Sequence, residues 1–413
     1  MSHYVVNDQV FLSRVPEGPL AAYLVRFADS LSQQGYAQHS VHRQVMLAAC
    51  FSRWLKKTGV SLHRVTSAQT AQYLRCRYRK RRPSRGDPAA LGHFIECLRR
   101  EGVLRVEKIS APRLTPAQQC ARAYEQYLRE ERALAEATIV NYVPFIGQFL
   151  KDCFGSGPVK LSRLCARDVV RFVQREALRL QSKRAKLLTS ALRSFCQYLR
   201  YKGETRLDLA TAVPCVANWS MPSIPRGIAP EQVGRLLREI DRSTAVGRRD
   251  YAILLLLARL GLRSGEVACL ELEDIDWQGG CLSVHGKGDR RTQLPLPKEV
   301  GDAIVAYLRH GRPRSNSRRV FLRAKAPIRG FLSQNAVGTI VRHALLRAGI
   351  ETPTTGCHQF RHGLATQMLR QGASLAEIGA LLGHRSPETT KIYTKVDLKA
   401  LRTLAMPWPG GVR

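Results

Sequence analysis

The apolar positions in the first half of the chain follow one pattern twice. Residues 62–74 (LHRVTSAQTAQYL) align without gaps to residues 161–173 (LSRLCARDVVRFV), and residues 90–102 (ALGHFIECLRREG) align to residues 191–203 (ALRSFCQYLRYKG). In the second pair the shared leucine and phenylalanine positions recur at i, i+3 and i+7, which is one face of a helix. Two matched blocks in the same order predict that residues 1–110 are an extra helical domain, an apparent duplicate of a helical bundle at residues 111–212.

The pattern changes after residues 213–230, which hold four prolines and a glycine and are predicted to be an interdomain linker. Residues 251–260 form an apolar helical run. Residues 281–285 alternate as a strand, and residues 291–296 can return beside them after a glycine-rich turn. Helical periodicity resumes near Asn335. The sequence therefore predicts a mainly α fold, with a last domain at residues 231–413 that is mostly helical and contains a small antiparallel β-sheet.

The charge balance indicates a polyanionic partner. The chain has 66 Lys and Arg against 32 Asp and Glu, a formal net charge of +34. Such a surplus repels itself unless a polyanion neutralises it, so nucleic acid is the leading partner. The alternative is non-specific binding to membranes or acidic surfaces. The basic residues cluster at positions 75–85, where phosphate contact is favoured over a plain solvated loop. The predicted DNA-binding residues there are Arg75, Arg77, Arg79, Lys80, Arg81, Arg82 and Arg85.

The cysteines and the apolar runs predict a cytoplasmic protein. Eleven cysteines are scattered without a CxxC pair, which is typical of reduced thiols rather than a disulfide framework or a zinc ribbon. The N-terminus has no apolar segment of the signal-peptide kind. The longest apolar run, residues 252–258, is too short to span a bilayer, so no membrane partner is expected.

Four segments of the last domain are candidates for chemistry: Gly-Leu-Arg at 261–263, Gly-Lys-Gly at 286–288, HQFRH at 358–362, and Leu-Gly-His at 382–384 followed by Tyr393. Each has an ordinary structural alternative. Arg263 could pair with Glu266, and the second segment could be a plain hairpin turn. Two histidines at i, i+4 could suggest zinc, but Gln359 stands where a zincin has its glutamate and no third ligand is signalled.

In this order and spacing the segments resemble the catalytic signature of the tyrosine recombinase (phage integrase) family. That signature is an early Arg, a hairpin Lys, His-x-x-Arg, a late His or Trp, and a Tyr about nine positions further on. Its six positions are filled here by Arg263, Lys287, His358, Arg361, His384 and Tyr393. The resemblance covers residues 226–405 closely and residues 115–205, as the family's helical core-binding (SAM-like) domain, with less specificity. It implies a DNA strand-transferase whose nucleophile is Tyr393.

The residue types suit phosphoryl transfer. Arg263 and Arg361 are permanently charged forks that can hold phosphate oxygens bidentately, the charge that metal ions supply in other phosphoryl-transfer enzymes. The sequence therefore predicts no metal and no cofactor. His358 is predicted to take or share the phenol proton, His384 to donate a hydrogen bond to a phosphate oxygen, and Lys287 to protonate the leaving 5′-oxygen. The resemblance further implies a 3′-phosphotyrosyl link and two exchange rounds through a four-way junction.

Capping patterns place the tyrosine on a separate small element. Ser374 and Glu377 form a capping box that opens a helix ending at Gly383, and Ser386 with Pro387 opens a short helix carrying Tyr393. This element could swing to control which subunit cleaves. Residues 396–406 can form one more helix. In the family this helix typically docks on the neighbouring subunit, and packing within its own subunit is the alternative. The resemblance implies a homotetramer on double-stranded DNA recombination sites, near the bacterial nucleoid.

Other functions stay open. A mobile-element integrase or transposase is favoured over a chromosome- or plasmid-resolving recombinase because of the extra N-terminal residues. A type IB topoisomerase uses similar residues, but the Leu-Gly-His context and the paired bundles favour a recombinase. A catalytically silent DNA-binding protein is disfavoured by the filled signature positions, and a zinc-dependent nuclease by its missing ligands.

Overall fold

The computed structural model describes residues 4–7, 10–12, 14–104, 114–216, 227–286, 291–352, 354–384 and 386–396. The chain divides into two compact units. One comprises Met1–Val106 together with Ser223–Arg413, and the other comprises Glu107–Pro222. The mainly helical fold with a small antiparallel sheet is confirmed. None of the helices in the described ranges is long and apolar enough to cross a membrane.

The first bundle is built from a β-hairpin and four helices. Its elements are β1 (Tyr4–Asn7), β2 (Val10–Leu12), α1 (Leu24–Gln33), α2 (Gln38–Lys57), α3 (Ser67–Tyr78) and α4 (Asp87–Arg100). The apolar faces meet in one core, where the Phe27 and Phe94 rings lie 4.8 Å apart. The hairpin was not predicted, because a three-residue strand is too short to show alternation.

The second bundle contains four helices: α5 (Pro116–Glu130), α6 (Glu136–Phe154), α7 (Ala166–Ala177) and α8 (Ser182–Tyr201). The side chain of Thr115 accepts a hydrogen bond from the Gln118 backbone N–H at 3.3 Å, as the helix-start pattern predicted. In both bundles a short 3₁₀ turn, at Leu62–Arg64 and at Leu161–Arg163, precedes a third helix of 12 residues. The two bundles share this order of elements, and the duplication itself stays a prediction.

The remaining elements surround one long buried helix. They are α9 (Pro230–Arg238), α10 (Ala245–Arg259), α11 (Ser264–Cys269), β3 (Ile275–Asp276), β4 (Cys281–His285), β5 (Arg291–Pro295), α12 (Lys298–His310), α13 (Asn335–Arg347), α14 (His358–Arg370), α15 (Leu375–Leu381) and α16 (Pro387–Thr390). The sheet has the order β3-β4-β5 and is antiparallel, with Leu282 opposite Leu294. Residues 252–257 of α10 are fully buried, which makes α10 the centre of the core.

The end of the predicted linker attaches to α14. The Ile228 backbone N–H donates to the Gln359 carbonyl at 3.1 Å. Gly227 lies so close to the backbone of Gly363 that a β-carbon there would approach the Gly363 nitrogen to 2.4 Å. The backbone before α9 therefore runs directly over the helix that carries the His-x-x-Arg segment.

Candidate active site

Arg361 lies at the centre of the site and is buried. One guanidinium nitrogen donates to the Gly261 carbonyl at 2.8 Å, and another donates to the Leu382 carbonyl. Burial and the neighbouring charge of Arg263 lower the pKa of Arg361 to about 10, while Glu266 acts in the opposite direction. One carboxylate, that of Glu266, lies beside these two cations, so a further anion close to both would be stabilised.

The glycine of the Gly-Leu-Arg segment makes this arrangement possible. Gly261 has φ +61°, and a β-carbon there would lie 2.8 Å from a Leu382 methyl group and 3.1 Å from one of Leu364. Only glycine combines this backbone conformation with such a close approach. As a result, the turn between α10 and α11 packs against α14 and the end of α15, and its carbonyl reaches Arg361.

Arg263 stands at the start of α11 and pairs with Glu266. Its guanidinium lies 2.6 Å from one Glu266 carboxylate oxygen, and its backbone N–H donates to the other at 2.7 Å. The pairing that the sequence left open as an alternative is therefore present. It does not occupy the whole guanidinium: the Arg263 side chain is 36% exposed, and among the described residues only Glu266 hydrogen-bonds it. The free side can face a phosphate.

His384 follows α15, as the capping pattern predicted. Its Nδ1 lies 2.7 Å from the Thr390 hydroxyl on α16. Burial, followed by the charges of Arg361 and Arg263, lowers the pKa of His384 to about 4. The ring is therefore neutral at pH 7. In the tautomer in which Nδ1 accepts from the Thr390 hydroxyl, Nε2 carries the proton and can donate it in a hydrogen bond.

Tyr393 lies on the 3₁₀ turn Lys391–Val396 that follows α16, and only 1% of its surface is exposed. It packs with Ala365 of α14 and Ile378 of α15. Its hydroxyl lies 3.0 Å from Nδ1 of His362. Burial raises the pKa of the phenol, while the charge of Arg361 acts to lower it.

The sequence analysis assigned the phenol proton to His358, and that assignment stays a prediction. The histidine hydrogen-bonded to the phenol in the structure is His362. His358 is the first residue of α14 and is exposed, whereas His362 lies one turn further along and is half-buried against Tyr393. Their rings are 6.4 Å apart. Burial, followed by the charges of His358 and Arg361, lowers the pKa of His362. A neutral His362 can accept a proton.

Sequence reasoning missed two residues that contact predicted site residues. His362 was visible only as half of an i, i+4 pair, a spacing shared by metal sites and ordinary helix faces. Thr390 gave no signal, because its contact with His384 depends on how α16 folds back. Across the described residues, no group of three or more His, Cys, Asp or Glu lies close enough to hold a metal ion.

Two predicted parts lie outside the described residues. Lys287 falls in residues 287–290, between the paired ends of β4 and β5, where His285 is opposite Arg291. The predicted final helix covers residues 396–406, and all of it after residue 396 lies outside the described residues, as do residues 407–413. Both assignments stay predictions.

The predicted DNA-binding cluster spans the end of α3 and the connection to α4. Six of its residues are exposed: Arg75, Arg79, Lys80, Arg81, Arg82 and Arg85. Arg77 differs, because its Nε donates to Asp87 at 3.2 Å and its side chain is only 22% exposed. Arg77 is therefore a structural brace rather than a cation facing solvent.

Known families match both helical parts named by the sequence resemblance. Residues 226–399 match the phage integrase family, and residues 121–203 match the phage integrase N-terminal SAM-like domain. The chain is 53% identical over 407 residues to "Putative integrase/recombinase y4rA" of Sinorhizobium fredii, which covers 98% of this chain and 99% of that protein. It is 32% identical over 268 residues to tyrosine recombinase XerA of Pyrococcus furiosus, covering 64% of this chain and 85% of that one.

The fold agrees with these matches. The structure of XerH site-specific recombinase bound to palindromic difH substrate, a post-cleavage complex, superposes with a TM-score of 0.56 at 20% identity. The match covers 70% of this chain and 84% of that chain. At that identity the likeness shows the fold alone. With the family matches, the chain belongs to the phage integrase family of tyrosine recombinases, which are DNA strand-transferring enzymes.

Proposed function

We propose that this protein is a site-specific recombinase that cuts and rejoins double-stranded DNA through a covalent 3′-phosphotyrosyl intermediate on Tyr393. The observation that carries the proposal is that the buried Arg361, held by the Gly261 and Leu382 carbonyls, lies beside the partly exposed Arg263. A DNA phosphodiester between the two guanidinium groups would supply the missing negative charge. Arginine forks match phosphate oxygens in both geometry and charge.

The reaction is an exchange of phosphate esters. The Tyr393 oxygen attacks the phosphorus, the bond from phosphorus to the 5′-oxygen breaks, and the 5′-hydroxyl leaves. Because an ester replaces an ester, the 5′-hydroxyl of another strand can reverse the step without ATP. Negative charge grows on the non-bridging oxygens during attack, where Arg263, Arg361 and the Nε2 proton of His384 stabilise it.

The phenol must lose its proton as it attacks, since its pKa is raised by burial. His362 is the group in hydrogen-bond contact with it and is neutral near pH 7, so we assign the proton transfer to His362. Protonation of the leaving oxygen stays assigned to Lys287.

The described state is closed. With 1% exposure, the Tyr393 ring cannot reach a DNA backbone until the segment after Gly383 shifts. That segment is short and separately capped: the Ser386 side chain accepts from the Glu388 backbone N–H at 3.3 Å. We propose that DNA binding and contact between subunits release this segment.

Exchange between two duplexes breaks four strands, and each break occupies one tyrosine. We therefore propose a homotetramer on two synapsed recombination sites, with the predicted final helix exchanged between neighbours. A mobile-element integrase or transposase is the favoured biological role, because the similarity to the Sinorhizobium fredii protein runs through the extra first bundle as well. Resolution of chromosomes or plasmids is the second candidate. Such substrates would place the protein in the bacterial cytoplasm, at the nucleoid.

The test is covalent trapping on nicked duplexes made from the DNA that flanks the gene. A protein–DNA adduct that survives denaturation, together with a new 5′-hydroxyl that polynucleotide kinase can label, is the expected result. An adduct that leaves a free 3′-hydroxyl would contradict the proposal. Joining of strands between two different duplexes distinguishes a recombinase from a topoisomerase, which would only relax supercoils.

A further inference from the structure

The first bundle is fixed to the catalytic part of the chain by a backbone contact. The Gln34 carbonyl, just after α1, accepts a hydrogen bond from the Ile328 backbone N–H at 2.8 Å. Gly35, with φ +78°, lies against the Ile328 side chain, and a β-carbon there would be 2.5 Å from its Cγ1. Burial raises the pKa of Tyr36, opposed by the charges of Arg323 and Arg329. The α1–α2 turn thus rests on the loop at residues 323–329.

That loop is itself anchored to the core of the catalytic unit. The Leu322 backbone N–H donates to the Tyr307 hydroxyl at 3.2 Å, and the Leu322 carbonyl accepts from the buried Arg249 at 3.0 Å. The two ends of the loop are joined by the Arg323 N–H, which donates to the Arg329 carbonyl at 2.9 Å. The α1–α2 turn of the first bundle therefore contacts a loop whose own position is fixed by hydrogen bonds to the catalytic core.

The two bundles also differ where the third helix meets the fourth. The second bundle connects α7 and α8 through residues 178–181, whereas the first connects α3 and α4 through the longer residues 79–86. We call residues 79–86 the basic loop. Its cations are all exposed, and none of the ion pairs between described residues involves them. They are Arg79, Lys80, Arg81, Arg82 and Arg85.

The basic loop is braced at both ends. The Arg77–Asp87 ion pair joins the end of α3 to the start of α4, and the Tyr78 hydroxyl donates to the Ser84 carbonyl at 3.4 Å. A loop closed in this way presents its charges on a fixed surface. Clustered, exposed and unpaired cations on a fixed surface are suited to the regularly spaced phosphates of a duplex.

We propose that the first bundle is a second duplex-DNA module, docked on the catalytic unit, which binds phosphates through the basic loop. The proposal rests on the proposed function in taking DNA as the ligand. It extends that function, because each protomer would then bind two segments of duplex DNA. One segment contains the scissile phosphate, and the other contacts the basic loop. The docking contact fixes the spacing between the two points of attachment.

The phosphate contacts are tested by the salt dependence of binding. The full-length chain with Lys80→Gln, Arg81→Gln and Arg82→Gln is titrated against a fluorescein-labelled mixed-sequence duplex of about 60 base pairs. When the logarithm of the binding constant is plotted against the logarithm of the salt concentration, the slope should become less negative by roughly 2–3. Each phosphate contact that is lost changes the slope by about 0.9. The control removes equal charge from the same bundle through Arg26→Gln, Lys56→Gln and Lys57→Gln. Arg26 and Lys56 already pair with Glu101 and Glu17.

The control slope should stay close to that of the unmodified chain. An unchanged slope in the basic-loop variant, or an equal loss in both variants, overturns the DNA assignment. The binding measurement needs no cleavage, so its failure is distinct from a failure of covalent trapping.

The docking contact is tested with Gly35→Ala against Gly59→Ala. Both glycines have positive φ, at +78° and +70°, but Gly59 has nothing within 4 Å of its added carbon. Deuterium exchange at the Ile328 amide should accelerate in Gly35→Ala only. That variant should also bind the long duplex more weakly, while its affinity for a duplex of about 20 base pairs, too short for both modules, stays unchanged. Equal exchange in the two variants would overturn the docked arrangement.

Discussion

Nδ1 of His362 lies 3.0 Å from the hydroxyl of Tyr393, and the tyrosine ring beside it is 1% exposed. The proposed nucleophile and the proposed base are thus held together inside the protein. This pairing joins α14, which carries Arg361, to the 3₁₀ turn after α16. It explains how a separately capped segment can keep the tyrosine close to the phosphate-binding arginines while withholding it from solvent.

His362→Asn tests the assigned proton transfer. Asparagine can keep a hydrogen bond to the phenol but cannot take its proton, so single-turnover cleavage should slow by about 100-fold or more. The matched control is His343→Asn, a histidine of α13 outside the site. Because the pKa of His362 lies below its usual value, cleavage by the unmodified chain should hold down to pH 6.5 and fall only below that. Unslowed cleavage by His362→Asn would remove His362 from the mechanism.

Arg263→Lys tests whether cleavage needs the planar guanidinium group of Arg263. Lysine keeps the charge but cannot bind two phosphate oxygens in one plane, so cleavage should fall by about 100-fold. Arg259→Lys, an exposed arginine that pairs with Glu299, is the control and should cleave normally. The comparison is made by quench-flow cleavage of the same duplex. Near-normal rates for Arg263→Lys would mean that Arg263 serves only its pairing with Glu266.

Thr390→Val tests the orientation of His384. The variant removes the hydroxyl that bonds Nδ1, so the ring loses its fixed tautomer and the Nε2 proton is no longer directed at the phosphate. Cleavage should fall by about 10-fold, as is common when a supporting hydrogen bond is lost. Thr389→Val, at the exposed neighbouring position, should have no effect. Equal rates in the two variants would show that Thr390 does not position His384.

Gly261→Ala tests the close packing that brings Arg361 to its carbonyl partners. The added carbon would meet Leu382 at 2.8 Å, whereas the same change at Gly280, with φ +60°, meets nothing within 4 Å. Both variants carry the cost of a positive φ, but only Gly261→Ala also overpacks the site. Its free energy of unfolding should fall by about 1–3 kcal/mol more than that of Gly280→Ala. Equal losses in urea unfolding would contradict the packing account.

Much of the fold follows from local patterns. The capping box of Ser374 with Glu377 is present, with the Ser374 N–H donating at 2.7 Å, and Gly383 ends the helix in a left-handed conformation. The strand at residues 281–285 also forms as predicted. These features depend on residues adjacent in sequence, whose propensities and hydrogen bonds are decided locally.

The contacts that complete the site join residues from separate elements of the fold. His362 with Tyr393 and His384 with Thr390 depend on how the end of the chain folds back over α14, and periodicity carries no information on that. The contact of His362, rather than His358, with the phenol could not be predicted for this reason, since both lie on one helix face and only tertiary packing distinguishes them. The contact between Gly35 and Ile328 is also long-range, so the docked first bundle could not be seen in the sequence.

The most direct test of the central claim is covalent trapping by Tyr393→Phe beside Tyr201→Phe. Tyr201 is 65% exposed on the second bundle and serves as the control. On a nicked duplex that traps the intermediate, Tyr393→Phe should bind with unchanged affinity and give no adduct after denaturation. Tyr201→Phe should give the adduct at the yield of the unmodified chain. An adduct of normal yield from Tyr393→Phe would show that another residue attacks the DNA.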